Sequence, residues 1–202
     1  MMEQLQALLD VRAIIQWGGI AGITAIVFVE TGLFFGFFLP GDSLLVTAGI
    51  LAAAGLLDIR WLIVSACVAA IIGDQTGYFI GRRAGQALVH RYEKFRVHLE
   101  RAHNFYETYG TKTIVIARFV PIVRTFVPAV AGAAGMHYQR FVTYNILGGV
   151  LWVLSTSLLG YGLGRTIPQI DRYLHLVIAI VVFLSILPSI IEWRRHRKGS
   201  KS

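Results

Sequence analysis

Charge-free apolar runs alternate along this chain with apolar runs that are interrupted. Phe141–Gly164 holds 24 residues without a charge and Leu174–Ile191 another 18. At 1.5 Å rise per residue, each is long enough to cross a hydrocarbon core about 30 Å thick, so two membrane-spanning helices are expected there. A third span is read at Trp61–Gly81. Two further apolar stretches are broken: Glu30–Leu57 by Pro40, Gly41 and Asp42, and Thr113–Met136 by Arg118, Pro121, Arg124, Pro128 and Gly132. Prolines and glycines inside apolar sequence suit re-entrant hairpins, which enter and leave on one side of the membrane. Ahead of all this, Leu5, Leu8, Leu9 and Ile15 recur at roughly helical spacing against Glu3, Gln6 and Asp10, which predicts an amphipathic interfacial helix over 1–15.

Composition supports a lipid solvent. Of 202 residues 55% are hydrophobic and 15% charged, and the mean hydropathy is +0.63, more apolar surface than a soluble domain of this size buries. The N-terminus carries Glu3, Asp10 and Arg12 and lacks the basic region and cleavage site of a signal peptide, so it is expected to be retained. The net charge of +8 is concentrated in two blocks that border apolar runs: the segment 82–112, with Arg82, Arg83, Arg91, Lys94, Arg96, Arg101 and Lys112, and the tail from Trp193. Anionic lipid and the positive-inside rule explain such blocks better than nucleic acid does. Both should face the cytoplasm, which demands an even number of crossings between them. The two spans after the segment supply that number if Thr113–Met136 is re-entrant. Leu88, Tyr92, Phe95 and Leu99 make the basic segment an amphipathic surface helix in this reading.

An internal repeat organises the chain. Phe38-Leu39-Pro40 recurs as Phe119-Val120-Pro121, Ala48-Gly49 as Ala131-Gly132, and the glycine-tyrosine run from Gly77 to Gly81 as that from Gly160 to Gly164, at offsets of 81, 83 and 83 residues. Each copy is a hairpin followed by one crossing, so the second copy must be inverted, the build of many secondary transporters. The expected fold is therefore an all-α polytopic membrane protein of one domain: amphipathic helix 1–15, first copy 30–81, basic segment 82–112, second copy 113–164, C-terminal spanning helix 173–192 and basic tail 193–202.

Five ionisable groups lie inside the apolar sequence: Glu30, Asp42, Asp74, Arg118 and Arg124. A charge at the bilayer centre costs about 2.5–3.5 kcal/mol on insertion scales, so these groups must be paired, hydrated or neutral. Inverted packing would bring the acids of the first copy to the arginines of the second. Arg118 and Arg124 carry the planar fork that grips phosphate or carboxylate; alternatively each only neutralises an acid or a freed carbonyl. Asp42 reads as the N-cap of the hairpin's return helix and Glu30 as an interfacial carboxyl, or both bind and release protons in a low-dielectric cavity. Asp74 is accessory, hydrogen-bonding across helices where glycines allow close approach. A single cysteine, Cys67, and six histidines without HExxH spacing point to no metal site and no cofactor.

The combination Glu30-Thr31, Phe38-Leu39-Pro40-Gly41-Asp42, Gly73-Asp74-x-x-Gly77-Tyr78 and Arg118-Phe119-x-Pro121-x-x-Arg124-x-x-x-Pro128-x-x-x-Gly132 resembles the DedA family, also described as the VTT or SNARE-associated Golgi protein domain, over residues 20–165. The resemblance implies two opposed re-entrant hairpins, a multi-pass place in the inner (plasma) membrane, and movement of lipids between leaflets. Undecaprenyl phosphate is the cargo linked to bacterial members, and phospholipid scrambling is linked to eukaryotic ones. It also implies that Glu30 and Asp42 are the family's essential acids and Arg118 and Arg124 its essential arginines. The expected function is a non-enzymatic lipid-phosphate carrier: Arg118 and Arg124 bind substrate, Glu30 and Asp42 couple protons, and membrane lipids are its other partners. A homo-oligomer is compatible with this. A proton-coupled exporter of small cations or drugs, a general scramblase, a lipid phosphatase and a non-transporting lipid-binding factor are the rivals.

Overall fold

The computed structural model describes residues 11–33, 41–91 and 112–166. Six helical elements follow one another: α1 Val11–Gly32, broken by a kink at Gly19 (φ 51°), α2 Gly41–Ala53, α3 Ile59–Arg91, α4 Lys112–Ala117, α5 Pro121–Ala133 and α6 Tyr138–Thr166. No strand occurs among the described residues. Residues 1–10 of the expected amphipathic helix, the Phe38-Leu39-Pro40 anchor, positions 92–111 of the basic segment, the C-terminal spanning helix and the tail lie outside them.

Two described helices are long and apolar enough to cross a membrane, Ile59–Gly85 within α3 and Tyr138–Thr166, which is α6. Asp58 opens α3 as its N-cap, its Oδ1 accepting from the backbone N–H groups of Arg60 (2.8 Å) and Trp61 (3.2 Å) and satisfying two donors that a helix start leaves orphaned. Trp61, Val64, Val68, Ile72 and Phe79 on α3, and Leu147, Leu151 and Leu158 on α6, are exposed large hydrophobics. Their three-, four- and seven-residue steps set each group along one side of its helix. Continuous apolar stripes of this kind are a liability in water and ordinary against lipid.

Three sequence expectations need correction. Residues 82–91 do not start a separate surface helix but extend α3, because nothing at Arg82-Arg83 breaks it and arginine is a good helix former. Of the three predicted breaks in the second hairpin, Pro121 opens α5, where its missing N–H costs nothing, but Pro128 and Gly132 lie inside that helix. The interruption falls at Arg118–Val120 instead. Asp42 lies within the first turn of α2, so it is not the N-cap.

Two of the shorter helices, α2 and α5, end alike. Both have 13 residues, and each is followed by a glycine of positive φ, Gly55 at 80° and Gly135 at 74°. The next residue reaches back, Leu56 N–H to Leu51 C=O and Met136 N–H to Ala131 C=O, both at 3.0 Å. That is the Schellman termination, which needs a left-handed residue and so favours glycine.

Glycines also set the packing. A Cβ at Gly160 would lie 2.0 Å from the Val46 carbonyl oxygen, and one at Gly49 would lie 2.2 Å from that of Ser157, so α2 and α6 touch backbone to backbone. Likewise a Cβ at Gly81 would meet the Ala129 oxygen at 2.1 Å and one at Gly132 the Tyr78 oxygen at 2.1 Å, joining α5 to α3. Val46 and Ala129 are 83 residues apart, as are Gly49 and Gly132, but their partners Gly160 and Gly81, or Ser157 and Tyr78, are 79 apart. Each short helix thus packs on the long helix of the other half, one turn out of register with the sequence repeat. The core between α1, α2, α3 and α6 contains Ile23, Val27, Leu44, Leu45, Leu62, Ala66, Trp152 and Val153. A second cluster joins Tyr78, Ile114, Ala131, Met136 and Phe141. In it the Tyr78 hydroxyl donates to the Met136 carbonyl at 2.5 Å while its ring stacks on Phe141 at 4.5 Å.

Candidate functional site

The five ionisable residues picked out in the sequence meet in the structure. Glu30 comes from the last turns of α1, Asp42 from the first turn of α2, Asp74 from the middle of α3, Arg118 from the turn after α4, and Arg124 from the first turn of α5. Four of them are buried, with Glu30 at 1% exposure, Asp74 and Arg118 at 4% and Arg124 at 9%. The Asp42 side chain is 22% exposed. Asp74 lies close to the midpoint of Ile59–Gly85 and Trp152 at the midpoint of α6, so the cluster sits near the centre of both long helices.

Arg124 is the hub. Its Nη2 pairs with Glu30 Oε1 and its Nη1 with Asp42 Oδ1 at 2.7 Å. One guanidinium therefore ties the end of α1 and the start of α2 to the start of α5. Burial makes this expensive to build and more expensive to break, since an uncompensated buried charge costs several kcal/mol. Backbone shape serves the same contact: a Cβ at Gly41 would fall 1.5 Å from Glu30 Oε2, so only glycine lets the carboxylate rest against the N-terminus of α2. There the unsatisfied N–H groups favour a negative charge.

A second pair lies beside the first. Arg118 Nη1 binds Asp74 Oδ2 and donates to Asn145 Oδ1 at 2.8 Å, while Asn145 Nδ2 donates to the Ile71 carbonyl at 3.1 Å. Gly148 and Gly149 of α6 make room for Arg118, whose side-chain atoms come within 3.3 and 3.5 Å of where their Cβ atoms would be. Arg118 Nε and Nη2 and Arg124 Nε are buried without a hydrogen-bond partner among the described residues. Glu30 Oε2 is likewise without a partner; buried polar atoms are rarely left so, and with three donors against one acceptor the cluster has room for an acceptor oxygen.

Trp152 and Asn145 were missed by sequence reasoning. Trp152 is 1% exposed, and its indole N–H donates to Asp42 Oδ1 at 2.7 Å. Its ring centroid lies 4.6 Å from Arg124 Cζ and 5.8 Å from Arg118 Cζ, within cation–π range of both. The available signal was weak: a large amphipathic ring and an amide in the middle of a run read only for its lack of charge. Asp74, read as accessory, is the main partner of Arg118.

The chain matches the VTT domain over residues 39–162. It is similar to Protein DedA of Escherichia coli (strain K12), 46% identical over 180 residues that cover 87% of this chain and 82% of that one. It is 45% identical over 186 residues to an uncharacterized membrane protein of Mycobacterium tuberculosis (strain CDC 1551 / Oshkosh), covering 90% and 81%. Inner membrane protein YqjA of Escherichia coli (strain K12) is 36% identical over 167 residues, covering 80% and 74%. No solved structure matches the chain.

Proposed function

The chain belongs to the DedA family of membrane proteins, and from that premise we propose that it carries a lipid phosphate, foremost undecaprenyl phosphate, between the two leaflets of the inner membrane. The observation that carries the reading is Arg124 held between Glu30 and Asp42. A guanidinium that already grips two carboxylates has the geometry to grip a phosphate in their place. Arg118, with two donors unfilled, offers the second grip. Protons taken up by Glu30 and Asp42 free the arginines as the phosphate arrives, while the polyprenyl tail stays in lipid.

Topology follows the same reading. Residues 30–57 and 113–136 act as opposed re-entrant hairpins, with the basic segment and the C-terminus in the cytoplasm. The exchange of partners between halves, α2 on α6 and α5 on α3 at matching glycines, is what an inverted repeat would produce. It gives the site two related ways of opening. We read the protein as a carrier that makes and breaks no covalent bond.

The cation-exporter alternative needs a carboxylate free to receive the cation. Three guanidinium nitrogens, against the single carboxylate oxygen Glu30 Oε2, are buried without a partner among the described residues of the cluster, which favours an anionic cargo. The test is leaflet-resolved exchange of a prenyl phosphate in vesicles containing this protein alone. Arg124→Ala should abolish exchange while leaving the protein inserted, and a mutant that exchanges at the wild-type rate removes the assignment.

A further inference from the structure

One uncharged residue touches the charged cluster through both its ring and its hydrogen-bonding group. Trp152 sits at the midpoint of α6 and is buried. It meets the cluster in two ways: the indole face covers the Arg124 guanidinium at 4.6 Å, and the N–H is bonded to Asp42 Oδ1 at 2.7 Å, the oxygen that also accepts from Arg124 Nη1. Of the groups that hold Arg124, the two carboxylates must let go for a phosphate to bind. The ring need not, because Arg124 Cζ lies over its face, whereas the carboxylates hold the two Nη atoms, the positions a phosphate would take.

We propose that Trp152 is the positioning residue of the phosphate grip, keeping Arg124 over α6 while its edge exchanges carboxylate for phosphate. This rests on the lipid-phosphate reading. The indole is suited to the task, since tryptophan offers the strongest cation–π face and desolvation strengthens the attraction. The rigidity of α6 against α2, enforced at Gly49 and Gly160, fixes the ring relative to Asp42. Without the ring, Arg124 would follow the departing carboxylates toward α1 or α2, and its charge would no longer wait where the phosphate must bind. The N–H bond to Asp42 keeps that carboxylate beside the site after release.

The test uses the full chain in phosphatidylcholine vesicles with a fluorescent short-chain prenyl monophosphate as probe. Trp152→Leu, which removes both face and N–H, should raise the half-saturating probe concentration roughly thirtyfold, the scale of a desolvated cation–π contact, with the maximal rate largely kept. Trp152→Phe keeps a face and should recover most of that loss. Trp61→Leu, on the outward side of α3, should leave half-saturation unchanged. A purely structural role would instead lower the maximal rate alike in both Trp152 variants. In parallel, the guanidinium resonances of 15N-arginine-labelled protein should show Arg124, identified by its loss in Arg124→Lys, displaced by the indole ring current. Unchanged half-saturation in Trp152→Leu, equal damage in Trp152→Phe, or an Arg124 signal without ring-current displacement each overturns the proposal. Wild-type vesicles that exchange no prenyl phosphate overturn the transport reading instead, and the resonance still decides whether Trp152 holds Arg124.

Discussion

Replacing Gly160 by alanine adds one methyl group to α6 and should disable the site two turns away. The new Cβ would lie 2.0 Å from the Val46 carbonyl oxygen, about 1 Å inside the closest approach that side-chain carbons make. The obstacle is backbone, so no rotamer change relieves it and α2 must move away from α6. Asp42 precedes Val46 by one turn of α2, and a displacement of 1 Å would stretch its 2.7 Å bonds to Trp152 and Arg124 beyond hydrogen-bond reach. Overpacking of this kind costs about 1–3 kcal/mol, which for a chain of this size lowers the unfolding midpoint by roughly 3–10 °C. Gly162 is the control on the same helix, since nothing lies within 4 Å of a Cβ there. Gly162→Ala should be neutral or stabilise by up to about 1 kcal/mol through helix propensity. Thermal unfolding in detergent and prenyl phosphate exchange in vesicles read the two effects. Equal behaviour of the two alanine variants would refute the claim that backbone contact between α2 and α6 positions Asp42.

Arg124→Gln leaves Glu30 and Asp42 facing each other without their cation and should destabilise by about 3–5 kcal/mol, the cost of breaking a buried pair from one side. Adding Glu30→Gln should restore much of the unfolding midpoint but none of the exchange, and a double variant no more stable than the single one would contradict the pairing. Asp74→Asn should lower exchange less than Arg124→Ala does, because Arg118 keeps its bond to Asn145; initial rates under matched protein density decide the order. Entry of lipid phosphate should carry at least one proton per molecule, visible as an alkaline shift of the releasing compartment with a pH-sensitive dye, and uptake without proton movement would remove the coupling.

The sequence pattern located both long helices and named all five charged residues, because a charge inside an apolar run is conspicuous against its surroundings. It also anticipated that acids of the first half would meet arginines of the second. The pairing scheme was beyond it. Nothing in one dimension says that Arg124 takes Glu30 and Asp42 while Arg118 takes Asp74, since that depends on which helix ends converge. The register slip between halves was hidden for a related reason: the glycine-tyrosine anchors align at 83 residues, but the contacts are made by Gly81 and Gly160, 79 apart. Pro128 and Gly132 were misjudged as breaks because proline and glycine interrupt helices in water. In α5 the glycine instead lets the helix approach Tyr78, a use typical of helices packed in lipid. Trp152 was invisible because its role lies in what it faces.

Charge balance explains why the site holds more acids than bases. The described cluster has three carboxylates and two guanidiniums, an excess of one negative charge with every group ionised, in a setting where an uncompensated charge costs several kcal/mol. One proton on a carboxylate makes the empty site neutral. A phosphate monoester arriving as a monoanion displaces the acids from the arginines and brings the excess back, so a second proton must enter with it, and a dianion would require a third. Had the site held two acids and two arginines, the empty state would be neutral without a proton. On the proposed function, the third acid would give the empty site a resident proton, shared within the cluster before the lipid comes. Glu30 is enclosed and Asp42 partly open, so in the proposed carrier solvent would reach the cluster on the Asp42 side, and Arg124, touching both, would feel any change there. In the proposed carrier the arginine that receives the phosphate is thus the one that holds both acids, which would make binding and proton uptake one event.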